Sequence, residues 1–263
     1  MYNYDRDELR KIQEKKLEML VDIASFCENN NITYWLDSGT LLGAIRHGGF
    51  IPWDDDIDII VMEKDAKILK EKYRSENFEI VNTNEEGINF YKVISKKDQV
   101  QVGESIAELD IDIFLVTSYP DSYALKFWNS FFHLKKNRIE KFSLTLFFTN
   151  ILINLKRKLE KTKLFNYKNI EKKITCILDK AKNKNIVMEN IAYTPDCGFH
   201  LIFWKKKEIF PLRKIKFEGV EFYAPNNYDI YLKKLYYSYM DLPPKEKRVP
   251  DHYRGESLKL LQK

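Results

Sequence analysis

The stretch Trp53-Asp54-Asp55-Asp56-Ile57-Asp58-Ile59-Ile60-Val61-Met62 decides how this sequence is read. Side chains alternate between faces along an extended chain, so Asp54, Asp56 and Asp58 are expected on one face, with Ile57, Ile59 and Val61 packed on the other. Like charges stacked at that spacing raise one another's pKa values and oppose folding unless cations neutralise them. Hard carboxylate oxygens in such a row suit Mg²⁺ or Mn²⁺. The run lacks the glycine and the terminal glutamate of an EF-hand loop, and aspartate alternating with isoleucine is the pattern of a sheet presenting its acids.

A second acidic strand, Leu109-Asp110-Ile111-Asp112-Ile113-Phe114, repeats the alternation, with Asp110 placed 52 residues beyond Asp58. If the two strands are neighbours in one sheet, Asp56, Asp58 and Asp112 converge on one or two metal ions, as metal-assisted phosphoryl or nucleotidyl transfer requires. Solvated acidic strand ends, or a cation site without catalysis, are the plainer alternatives.

Working outward, Leu9, Ile12, Leu17, Leu20, Val21, Ala24 and Cys27 recur near helical spacing, and Asn29-Asn30-Asn31 is a stop. Ile32 to Leu36 reads as a short strand, Ser38-Gly39 as a turn, and Thr40 to Arg46 as a short helix. The open N-terminus of that helix is a seat for phosphate. His47-Gly48-Gly49 and Pro52 end it, and Asp65 to Arg74 reads as a helix. Phe78 to Asn82, Phe90 to Lys96 and Ala107 to Val116 read as strands, the last two separated at Lys97-Asp98. Lys214 to Ala224 predicts a hairpin around Glu218-Gly219, and Asn227 to Met240 a last helix stopped by Pro243-Pro244.

The fold class expected is α/β of the α+β kind, with a mixed-sheet core. Three regions follow: a catalytic core over 1–118, a basic and largely helical lobe over 119–190, and a C-terminal hairpin and helix over 191–263 completing the substrate cleft.

The chain has 263 residues, 44% of them hydrophobic and 14% aromatic, which excludes intrinsically disordered and fibrous classes. Its net charge of +5 hides an asymmetry: Lys126 to Lys184 carries 16 Lys or Arg against 4 Asp or Glu, leaving the rest of the chain at −7. Inside that basic region lies the apolar run Phe142 to Leu155, shorter than the roughly 20 residues a spanning helix needs. It reads as a buried core helix or as one lying in an anionic membrane interface; no nucleic-acid partner is expected. Cys27, Cys176 and Cys197 form no disulfide framework and the first residues contain no apolar signal segment, so a cytoplasmic address is expected, at most peripheral to the inner face of the membrane. Cys197-x-x-His200 has a metal-like spacing but no second pair, and is assigned no zinc.

Ser38-Gly39-Thr40-Leu41-Leu42-Gly43, followed by Arg46-His47-Gly48-Gly49-Phe50-Ile51-Pro52-Trp53 and the acidic run to Asp58, resembles the LicD family. The resemblance continues through Asp110 to Phe114 and resumes at Phe210-Pro211-Leu212, Phe217-Glu218-Gly219 and Leu242-Pro243-Pro244. It covers both ends of the chain but not the basic middle. Members are phosphotransferases of the nucleotidyltransferase fold, related to fukutin and the fukutin-related protein. The resemblance implies transfer of a phospho-alcohol, most familiarly phosphocholine from CDP-choline, to a hydroxyl of a cell-surface or lipid-linked glycan. It equates Ser38-Gly39 with the Gly-Ser turn of the fold, Asp56 and Asp58 with its first acidic pair, and Asp112 with its third carboxylate. Where many members have Tyr-Gly-Asp-Tyr, this chain has Tyr236-Tyr237-Ser238-Tyr239.

On this reading Asp54, Asp56, Asp58 and Asp112 are candidate metal ligands, and Asp112, then Asp110, the candidate base. Ser38, Gly39 and Thr40 are expected to cradle the diphosphate, with Arg46, His47 and Lys92 adding charge there. Trp53 is the first candidate wall for a quaternary ammonium group, ahead of Tyr91, Tyr193 and Trp204. Arg248, His252, Tyr253 and Arg254 form a C-terminal polar cluster that closes over a substrate or is an exposed tail. A nucleotidyltransferase acting on a soluble small molecule or RNA, and a non-catalytic membrane-binding protein, are the rival functions.

Overall fold

The computed structural model describes residues 5–85, 88–121, 167–184, 186–194, 202–250, 252–253 and 256–263. It opens with α1 (Arg6–Asn29), capped by Asp5, whose carboxylate accepts the N–H of Asp7 at 2.8 Å. The apolar stripe of α1 buries Leu9, Ile12, Met19, Leu20, Ile23 and Cys27, each side chain of this kind contributing about 1.5–3 kcal/mol. Gln13 and Lys16 lie on the same stripe and are just as buried.

The expected strand–turn–helix follows as β1 (Tyr34–Leu36) and α2 (Ser38–Arg46). The acidic stretch departs from expectation. Only its end is a strand, β2 (Asp58–Met62), and residues 54–57 form an irregular entry to it. Face alternation therefore does not apply to Asp54 and Asp56. Ile59, Ile60 and Val61 are all fully buried, as in a strand covered on both faces.

Next come α3 (Glu63–Lys72), β3 (Phe78–Glu85), β4 (Ile88–Val102) and β5 (Ser105–Tyr119). The break expected at Lys97-Asp98 lies inside β4. A register shift between Ile94 and Gln99 absorbs it, with the Ser95 hydroxyl oxygen accepting the N–H of Lys97 at 3.2 Å and of Asp98 at 2.9 Å. The remaining elements are α4 (Tyr167–Asn183), β6 (Asn190–Tyr193), β7 (Trp204–Lys205), α5 (Lys206–Ile209), β8 (Arg213–Phe217), β9 (Val220–Ala224), α6 (Tyr228–Tyr236) and β10 (Leu258–Gln262). The hairpin β8–β9 turns at Glu218-Gly219 as expected. Helix α6 stops four residues earlier than expected because Tyr237 takes a left-handed conformation, φ 58°, ahead of the prolines.

The chain divides into a unit of residues 1–117 with 204–263 and a second of residues 118–203. In the first, the strand order is β1-β2-β5-β4-β10, with β3 also paired to β4. Strand β2 runs parallel to β5; the other pairings along this path are antiparallel. The C-terminal strand β10 had no counterpart in the sequence reading. In the second unit α4 lays Ile174 and Leu178 against Tyr119 and Ala192, and the Tyr119 hydroxyl donates to the Tyr193 carbonyl at 2.7 Å. The apolar run Phe142 to Leu155, its basic flanks, Cys197, His200 and Arg254 lie outside the described residues. Among the described residues no helix is long and apolar enough to cross a membrane.

Candidate active site

The parallel pairing of β2 with β5 sets Asp58 opposite Asp112, and the Asp112 N–H donates to the Ile57 carbonyl at 2.9 Å. Asp56, at the end of the irregular entry, completes a group in which one carboxylate oxygen of each residue lies within 4.8 Å of the others. Burial, and then the charge of Asp56, pushes both Asp58 and Asp112 well above the usual carboxylate range. Asp112 Oδ1 is buried and has no hydrogen-bond partner among the described residues. A buried oxygen without a hydrogen bond, within a set of crowded, hard carboxylates, is a donor set that suits a divalent cation.

Asp54 stands outside that group. Its N–H closes a turn on the Ile51 carbonyl at 2.8 Å, and its side chain covers Gly39, where an added Cβ would meet Asp54 Oδ2 at 2.8 Å. Burial, helped by the charges of Asp56 and Asp55, pushes Asp54 up to about 7. Asp55 turns the other way and is fully buried. One of its oxygens accepts the N–H groups of His252 at 3.1 Å and Tyr253 at 3.0 Å, and the other meets the His252 ring at 3.2 Å. The carboxylate between the expected ligands thus anchors the C-terminal segment.

Beside β2 lies the turn into α2. Ser38 has φ 44° and its hydroxyl donates to Asp37 at 3.2 Å; the buried Asp37 also accepts the Tyr231 hydroxyl at 2.6 Å. Among the described residues no side chain caps the N-terminus of α2, which leaves its first N–H groups, at Gly39 and Thr40, facing the turn. The Thr40 side chain is buried, and its oxygen accepts the Asp58 N–H at 2.9 Å, tying α2 to β2.

On the other side of the carboxylates, two lysines meet Asp110. Lys16 of α1, 2% exposed, lies 3.5 Å from Asp110 and 3.7 Å from Asp56. Lys92 of β4 lies 2.8 Å from Asp110 and 3.7 Å from Asp112. Burial pushes Asp110 upward, but the two ammonium groups outweigh it and hold the acid below its usual range. Lys16 stays protonated against its own burial because Tyr253, Asp56, Asp110 and Asp112 surround it. Lys92 was expected at the diphosphate cradle. The strand order puts β2 and β5 between it and Ser38, so it belongs to the opposite flank.

The remaining expected residues form a rim. The Arg46 guanidinium donates to the carbonyls of Tyr239 at 2.8 Å and Asp241 at 3.2 Å, which pins the segment after α6. His47 is exposed and meets Trp53 edge to face at 6.2 Å, while the Arg248 guanidinium sits 5.6 Å from the Trp53 ring centre. The cation on Trp53 is therefore the chain's own arginine. Trp204 is buried and stacked on Tyr231 at 4.3 Å, a core position rather than a wall. Tyr193 lies in the second unit. The His252 ring reaches to 3.8 Å from Asp56; its hydrogen bond to Asp55 outweighs burial and, with the charge of Asp56, raises it to about 9.

A family model described as LicD/FKTN/FKRP, nucleotidyltransferase domain, matches residues 31–148. The chain is 31% identical, over 93% of its own length and 96% of the relative's, to the lipopolysaccharide cholinephosphotransferase LicD of Haemophilus influenzae. The chain belongs to the LicD family. A shorter match, 43% identical over 44 residues, links this LicD-family chain to the human ribitol 5-phosphate transferase FKRP, covering 17% of the chain and 9% of that protein. An uncharacterized protein of Rickettsia prowazekii is 52% identical over 54 residues, 20% of each chain.

Residues of this LicD-family site that the sequence does not announce include Gln13, Lys16, Asp37 and, in its anchoring role, Asp55. Gln13 donates to the Asp54 carbonyl at 2.7 Å and so holds the acidic entry. A signal existed for two of them. Gln13 and Lys16 are polar residues on the apolar stripe of α1, and buried polar groups have partners.

Proposed function

We propose that this LicD-family chain is a phosphotransferase that moves a phospho-alcohol, phosphocholine first, from a CDP-activated donor to a hydroxyl of a cell-surface or lipid-linked glycan. The observation that carries the reading is the meeting of Asp56, Asp58 and Asp112 within 4.8 Å beside the Ser38 turn. It occurs in a chain similar over nearly its whole length to a lipopolysaccharide cholinephosphotransferase.

The N–H groups of Gly39 and Thr40 and the Ser38 hydroxyl take the donor diphosphate at the N-terminus of α2. Asp56, Asp58 and Asp112 would hold Mg²⁺ or Mn²⁺, which when bound offsets the charge of the transferring phosphoryl group. The acceptor oxygen forms the new P–O bond as the bond to the CMP oxygen breaks, and CMP leaves with that electron pair. Asp112, the third carboxylate of the group, is the residue assigned to take the acceptor's proton. Asp110 is held ionised by Lys16 and Lys92 and serves as an electrostatic anchor for them. The reaction belongs in the cytoplasm, at the inner face of the membrane for a lipid-linked acceptor.

The test is CMP release from CDP-choline, CDP-ethanolamine, CDP-ribitol and CDP-glycerol with Mg²⁺ or Mn²⁺. Wild-type protein should turn over at least one of them, and Asp56→Ala none. Pyrophosphate release from CTP or ATP, or an unchanged rate in Asp56→Ala, refutes the proposal.

A further inference from the structure

A cavity of about 510 Å³ opens beside the carboxylates, over β3, β4 and β5. We infer that it seats the sugar acceptor of the transfer, an inference that rests on the proposed function and deepens it. Its floor follows from the register of the sheet. Lys92 is the Cα partner of Asp112, Ile94 of Asp110 and Val81 of Lys92, so these residues, with Thr83, share one face. His252 and Tyr253, fixed by Asp55, stand at its side.

Strand order gives the cavity its role. Ser38 to Thr40 follow β1, the carboxylates stand on β2, its entry and β5, and the cavity lies beyond them over β5, β4 and β3. Ser38, Gly39, Thr40 and Trp53 do not line it. In-line displacement sets the attacking and leaving oxygens on opposite sides of phosphorus. With the diphosphate at α2, the leaving oxygen is on the β1 side, so the attacking hydroxyl arrives from the β4 side.

The lining agrees. Val81 and Ile94 offer an apolar floor, Lys92 offers a donor, and Asp110 offers an acceptor, which matches a sugar ring with its C–H face and hydroxyl edge. The volume falls within the range of about 300–1,000 Å³ usual for small-molecule sites.

The experiment uses the full chain and two filling variants, Thr83→Trp and Ala107→Trp, whose parent residues both line the cavity and lie outside the catalytic group. Three quantities are measured: CMP release from CDP-choline into water, transfer to de-acylated lipopolysaccharide, and binding of that oligosaccharide and of methyl hexosides by ligand-observed NMR. At least one folded variant should raise the acceptor KM ten-fold or more and lose sugar binding, with donor hydrolysis within two-fold of wild type. A raised donor KM with an unchanged acceptor KM would place the donor's alcohol in the cavity and overturn the inference. So would unaltered sugar binding in both variants, or no sugar binding by wild type. Failure of wild type to release CMP from any CDP-alcohol would instead overturn the proposed function, while the binding measurement still decides the cavity.

Discussion

Replacing Asp58 by asparagine should abolish transfer and yet stabilise the protein once divalent ions are removed. Carboxylate oxygens of Asp56, Asp58 and Asp112 lie within 4.8 Å of one another. Two unit charges at that separation repel by about 3 kcal/mol at an effective dielectric constant near 20. Proton uptake relieves part of this at about 1.4 kcal/mol per pKa unit, so the net gain from Asp58→Asn is about 1–3 kcal/mol at pH 8. The sign follows from the raised pKa of Asp58: the folded state holds a proton that the unfolded state has released. Wild-type stability therefore falls as pH climbs above the ordinary carboxylate range, and the advantage of Asp58→Asn grows with it. In EDTA at pH 8 the variant should melt roughly 2–10 °C higher, by differential scanning fluorimetry. Adding Mn²⁺ should raise the wild-type Tm and shrink the gap, while at pH 5 the gap should be small. A variant that melts below wild type at every pH, with Mn²⁺ stabilising both proteins equally, refutes the crowded-carboxylate account.

Lys16→Met leaves Asp56 and Asp110 without their buried cation and should cost about 3–5 kcal/mol in denaturant unfolding. Adding Asp110→Asn should recover part of that loss, and a strictly additive double variant would exclude the coupling. Glu218 accepts the Phe50 N–H at 2.9 Å and meets Arg10 at 2.7 Å, and despite its burial these partners lower its pKa. Glu218→Gln should therefore lose about 1–2 kcal/mol at pH 7. That difference should vanish as pH falls through the depressed folded pKa, since the stabilisation is fully present only above the unfolded value near 4.3; a deficit that does not change with pH would refute it.

The elements whose signal is local were legible in the sequence. The α1 stripe, the Ser38-Gly39 turn, the Glu218-Gly219 hairpin and the acid-bearing β5 each rest on periodicity or turn chemistry. The pairing of β2 with β5 was open until the structure placed Asp58 opposite Asp112, because spacing along the chain does not specify neighbours in a sheet. Asp54 was misplaced for a local reason: alternation was extended back through residues that are not a strand. The stop at Tyr237 depends on a left-handed residue that is not glycine, and helix propensity gives no warning of it. Lys92 was put on the wrong flank because the side of the carboxylates a residue occupies is a property of strand order. Strand β10 escaped because a five-residue segment near the end of the chain takes its order from β4, not from a strong pattern of its own.

The acidic entry before β2 is tied down by partners far away along the chain. Gln13 reaches Asp54 across 41 residues, Glu218 reaches Phe50 across 168, and His252 and Tyr253 reach Asp55 across 197 and 198. Contacts of such long range close late, because their loop entropy must be met before they contribute. A chain emerging from the ribosome thus exposes its cluster of aspartates well before Tyr253 has been synthesised. The site should then be completed as one of the last events of folding, and a partly made polypeptide would carry its aspartates without the frame that gathers them.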